Sequence, residues 1–186
     1  MIEQLPRQRV LNFLDAFYGG DRDAALQCCD DDIESMVYLP VELFPHLGPR
    51  RGTAAIAELV GIHAARYSKQ RFDVRFLVAD EVRAAVIIDL TFTKRSDGRV
   101  LTMPSGLFFT LRRGLICELW SFFDTIDMVE QLTGRDLVGP LLHDAGPALR
   151  PPATHAHIRP DTKAPAETAA IPVVLPIDPD AVQPPT

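Results

Sequence analysis

Residues 114–124, GLICELWSFFD, decide the fold, because this run is mostly apolar on both of its alternating faces. Read as an extended strand, it puts Leu115, Cys117, Leu119, Ser121 and Phe123 on one face and Ile116, Glu118, Trp120 and Phe122 on the other. Neither face can be left in water. One side needs a core, and the other needs a second layer or a second subunit.

Working outward, Arg113-Gly114 and Asp97-Gly98 mark hairpin turns, which separate strands over 82–93 and 99–112. Before them Phe72, Val74, Phe76 and Val78 alternate with Asp73, Arg75, Leu77 and Ala79, predicting one more strand. Upstream the period lengthens. Ile56, Leu59, Val60, His63, Ala64 and Tyr67 form a helical stripe with Thr53 as its cap. The segment 40–52, PVELFPHLGPRRG, has no period and reads as an ordered loop anchored by Leu43 and Phe44.

The chain opens on a helix with Pro6 in its first turn and an apolar face of Val10, Leu11, Leu14, Phe17 and Tyr18, with Phe13 beside it. Gly19 and Gly20 stop it, and Asp21 caps a short helix to about Cys29. Asp30, Asp31 and Asp32 read as a solvated turn before a strand over 33–39. After Phe123, Asp124 or Thr125 caps a closing helix that ends at Gly134. The expected fold is α+β, in the order ααβαββββα, with a curved antiparallel sheet wrapped on helices as a cone.

All fourteen aromatic residues precede residue 140, whereas eleven of the sixteen prolines lie at or after it. The expected domain is therefore 1–139, followed by a disordered Pro-rich tail over 140–186 that has too little apolar bulk to offset its ordering entropy. Within that tail the island IPVVLPI, from Ile171 to Ile177, is either a spacer or a linear motif for a protein partner. His155 and His157 make a pair too small for a metal site.

The net charge of -6 and the absence of a basic stripe argue against nucleic acid as a partner. No run is long and apolar enough for a signal peptide or a membrane span. Three cysteines without disulfide or zinc spacing read as buried thiols in a reducing, cytoplasmic setting. Neither a cofactor nor a metal is expected.

The order of elements, with the phrases GGDRDAAL (19–26), RRGTAAIAEL (50–59) and ELWSFFD (118–124), resembles the nuclear transport factor 2-like superfamily. That superfamily includes the SnoaL-like polyketide cyclases, ketosteroid isomerase and limonene epoxide hydrolase. The resemblance implies an apolar pocket inside the cone and dimerisation through the outer sheet face. It also implies positions for chemistry that this chain does not fill. Ile88, Leu90 and Ser121 stand where the epoxide hydrolase has its Arg-x-Asp pair and second Asp. Phe13, Val37 or Tyr38, and Ser105-Gly106-Leu107 stand where the isomerase has its Tyr, its base and its second Asp.

By alternation the pocket face contains Ile88, Leu90 and Phe92, then Met103, Ser105 and Leu107, then Leu119, Ser121 and Phe123. Phe13, Phe17, Tyr38 and Tyr67 complete the expected ligand contacts, with His46 and Arg50 as a lid that meets an anionic group. Acid or base work falls to Tyr38, His63 or Asp89. His63 reads more readily as a core histidine bonded to a carbonyl. Asp89 faces outward by parity unless its strand bulges.

Three readings stay open. The first is a homodimer that binds a small apolar or amphipathic molecule. The second is a cyclase, isomerase or dehydratase acting on a polyketide- or terpenoid-like substrate. The third is an interaction module that uses the outer sheet face and the tail.

Overall fold

In the computed structural model, which describes residues 4–41, 44 and 46–144, the apolar periods become three helices, a sheet packed on them and a closing helix pair. Residues 4–144 lie within one unit, Met1–Gly146. Helix α1 (Gln4–Gly19) buries Val10, Phe13, Leu14 and Phe17 at helical spacing. Gly20, at φ 79°, ends it. Asp21 then accepts from the Ala24 N–H at 3.0 Å and caps α2 (Arg22–Gln27), as its position predicts.

Six strands follow: β1 (Cys29–Val37), β2 (Arg50–Arg51), β3 (Tyr67–Ala79), β4 (Arg83–Lys94), β5 (Val100–Arg112) and β6 (Leu115–Phe123). Helix α3 (Thr53–Arg66) lies between β2 and β3, and α4 (Thr125–Thr133) and α5 (Val138–Asp144) close the described chain. The sheet order is β2-β1-β6-β5-β4-β3. The curved sheet is mixed, not wholly antiparallel, because β1 runs parallel to β6. A parallel pair needs a long crossover, and α3 with the four strands β2 to β5 supplies it.

Several local expectations are corrected. The acidic run is not a turn but the start of β1, and Asp30 is buried. Its carboxylate is compensated by Arg112, whose Nη2 lies 2.8 Å from Oδ1, and by Arg113 at 3.5 Å. Those partners are some eighty positions away in sequence, beyond the reach of a local reading. Gly52, at φ 83°, is the N-cap of α3, and Thr53 makes no capping bond. Tyr67 leaves the helical stripe to start β3, where it is buried.

Two bulges reset side-chain parity. Arg75 is the extra residue of β3, between Val74 opposite Ile88 and Phe76 opposite Ile87. Leu77 and Ala79 therefore share the core face with Phe72, while Phe76 and Val78 turn outward and are exposed. In β6 the register shifts at Cys117, so Ile116 is fully buried and no longer shares a face with Trp120 and Phe122.

The core lies between the inner sheet face, with Val86, Ile88, Leu90, Leu101 and Phe109, and helices α1 and α3. Asp124 caps α4 by accepting from the Asp127 N–H at 3.0 Å, and Gly134, at φ 68°, ends it. Leu43, the tail island, His155 and His157 lie outside the described residues.

Candidate functional site

Inward alternation on β4, β5 and β6 makes one wall of a cavity of about 90 Å3, whose other wall comes from α1, α3, α4 and the 40–49 loop. In the same measure one water needs roughly 10–15 Å3, so the space suits a small molecule. Leu90, Phe92, Met103, Leu107, Leu119 and Phe123 form the apolar sheet side. Phe13, Phe17 and Tyr18 come from α1, and Leu59, Ile62 and His63 from α3.

His63 is the half-buried ionisable group nearest to chemistry. Four aromatic rings surround it, Phe17 at 5.2 Å, Tyr67 and Phe92 at 5.5 Å and Tyr18 at 6.3 Å between centroids. That apolar jacket desolvates the imidazolium and pushes the His63 pKa down to about 4, against the opposing bond to Gln70. Nδ1 lies 3.0 Å from Oε1 of Gln70 on β3. A carbonyl oxygen only accepts, so Nδ1 carries the proton and Nε2 keeps its lone pair. His63 is thus a neutral hydrogen-bond acceptor at pH 7. The Tyr18 and Tyr67 phenols are pushed up by burial, so both remain protonated donors. Ser35 and Ser121 add hydroxyls to the lining.

The structure brings most of the expected contacts together. Phe13, Phe17, Tyr67, Leu90 and Phe92 line the cavity, as do Met103, Leu119, Ser121 and Phe123, together with His63 and the lid residue His46. Four expectations are corrected. Tyr38 turns to the outer face, since Val37 beside it pairs with Ser121 and faces in. The Tyr38 ring stacks on Phe122 at 4.4 Å and on Trp120 at 5.9 Å.

Ser105 is buried outside the lining, and its Oγ lacks a partner among the described residues. Asp89 is not an acid of the cone: it faces out, as parity predicts, opposite Asp73, and pairs with Arg75, the extra residue of the β3 bulge. Arg50 turns to Glu58 and lines a different cleft with Tyr38 and Trp120.

Sequence reasoning missed Tyr18, Met36, Arg66, Met128 and Leu132 as cavity residues. Tyr18 stands on the apolar face of α1, so its signal was present. Arg66 follows His63 by three positions and shares its side of α3, but a cation in a last helical turn is ordinarily taken as a complement to the helix dipole.

Compared with protein families, residues 10–119 match the model described as the SnoaL-like domain. The chain belongs to the SnoaL-like family. A comparison with curated proteins gives no match. Among solved structures, this SnoaL-like chain is similar to a candidate isomerase from Rhodopseudomonas palustris, at 25% identity and TM-score 0.64, covering 73% of this chain and 100% of that one.

It is also similar to a candidate SnoaL-like polyketide cyclase from Jannaschia sp. CCS1, at 16% identity and TM-score 0.63, covering 73% and 96%. A third is an LEH-like epoxide hydrolase from M. tuberculosis, at 19% identity and TM-score 0.59, covering 75% and 96%. The last two likenesses speak for the fold alone. The nuclear transport factor 2-like resemblance read from the sequence is thereby shown. Among the described residues of this SnoaL-like domain, no three His, Cys, Asp or Glu side chains gather as metal ligands, and no helix is long and apolar enough to cross a membrane.

Proposed function

We propose that this SnoaL-like domain binds a small apolar or amphipathic molecule in its cone. The observation that carries the reading is His63, a neutral acceptor kept desolvated in a largely apolar cavity beside the phenols of Tyr18 and Tyr67. Convergent polar groups in an apolar pocket orient a ligand and leave little reason to exist without one. Native mass spectrometry of the full chain tests it. A co-purified small molecule that is lost in Leu90→Trp, which fills the cavity, is the expected result. An identical spectrum for the two proteins would count against the cone.

A second reading, general acid/base turnover of a polyketide- or terpenoid-like substrate by a cyclase, isomerase or dehydratase, draws on one specific feature. Gln70 fixes the tautomer of His63, and fixed tautomers are what proton transfer needs. On this reading His63→Gln keeps binding and loses turnover. A variant that turns over as fast as the parent removes it.

Outside the cone, a patch of Tyr38, Phe76, Ile87, Phe108, Trp120 and Phe122 on the outer sheet face supports a homodimer, the state we assign to the protein in the cytoplasm. The third reading, an interaction module, would use the same face together with the segment at 171–177. We keep the division into a cone domain and a Pro-rich tail on composition.

A further inference from the structure

The lip of the cone carries charge that the described fold does not neutralise. Arg66, the last residue of α3, lines the cavity, and its Nη1 donates to Nε2 of His46 at 3.2 Å. A guanidinium only donates, so His46 must present a lone pair and stay neutral on that side. Desolvation, then the charges of Arg66 and Arg50, lower the His46 pKa in the same direction. The charge of Arg50 is met by Glu58. Among the described residues no carboxylate lies within ion-pair distance of Arg66.

Arg66, Tyr67 and Leu132 also line a neighbouring cleft whose other walls include Lys94, Arg95 and Ser96. Lys94 is met by Asp97 at 3.2 Å, while Arg95 donates to the Ala64 carbonyl at 3.0 Å and has no carboxylate partner among the described residues. The cone and this basic cleft therefore meet at Arg66. In a chain of net charge -6 such a patch is a local exception. Helix-dipole complementation explains a cation at the end of α3, but it does not explain a guanidinium directed to His46 in the loop over the cavity.

We propose that the cone's ligand is an amphipathic organic acid, with its carboxylate at Arg66 and its apolar body among Phe92, Leu90 and Met103. This inference rests on the binding reading above and narrows it to a ligand class. A planar guanidinium matches a carboxylate through two parallel bonds, and Arg66 lines the cavity beside Tyr67 and Leu132.

Isothermal titration of the full chain with hydrocinnamate and with hydrocinnamyl alcohol, which share a body and differ in the head, tests it. The acid should bind roughly tenfold more tightly than the alcohol, and the gap should shrink with added salt. Arg66→Gln should abolish the gap by weakening the acid far more than the alcohol, while Arg66→Lys should restore part of it. Leu90→Trp should abolish binding of both. Equal binding of acid and alcohol by the parent, or a gap that survives Arg66→Gln, would overturn the assignment and leave the binding reading standing. Binding of neither would overturn both.

Discussion

His63 links the cavity to acid stability. Unfolded, its imidazole takes a proton below about pH 6.5, whereas in the folded jacket of rings it does so only below about 4. Between those values the unfolded chain binds more protons, so stability is fully present above about 6.5 and is lost as pH falls towards 4. The loss is roughly 3 kcal/mol at most from this group. Urea midpoints followed across that window should fall in the parent and stay flatter in His63→Leu. Equal slopes would mean that His63 is not desolvated.

Asp30, held below the usual carboxylate range first by its bond to Arg112, adds a loss of the same sign at lower pH. At this scale the sequence made His63 legible, since it stands on an apolar stripe, but it could not say which way Tyr38 turns. That depends on Val37 meeting Ser121 across a parallel pair, which no local pattern encodes. Arg66 was hidden for a different reason, because its usual duty at a helix end conceals another.

Elements were readable where the period was long and uninterrupted. Helix α1, the β4 and β5 hairpin and helix α4 stand where apolar spacing and turn residues put them. The cap of α4 can be tested by itself. Asp124→Ala removes the acceptor for the Asp127 N–H and should cost about 1 kcal/mol in chemical denaturation, with binding in the cone unchanged. A loss of binding together with stability would show that Met128 and Leu132, both on α4, depend on the cap for their place in the lining.

Parity failed at Arg75 and Cys117, where β-bulges shift the register against the neighbouring strand. A bulge is decided by what the partner strand needs, so single-strand alternation carries no warning of it. Strand β4 keeps its register against β5 throughout, so parity alone puts Asp89 outside the cone, where it pairs with Arg75.

For the whole molecule, the pairing of an apolar cone with an apolar outer face predicts association. Multi-angle light scattering of the full chain should give twice the monomer mass, and Trp120→Glu combined with Phe122→Glu should give the monomer mass. Both side chains are about two-fifths exposed, so the substitutions should disturb the fold little. A parent that is monomeric at every accessible concentration would remove the homodimer. The architecture was legible because the order of elements and three short phrases constrain it together. The ligand was not, because it depends on which side chains meet across α1, α3, the loop and the sheet.

The most direct measurement is therefore where a ligand sits. With hydrocinnamate bound, intermolecular nuclear Overhauser contacts from its ring should reach the methyl groups of Leu90, Met103 and Leu119 inside the cone. Contacts confined to Trp120, Phe122 and Phe108 on the outer face would contradict the account.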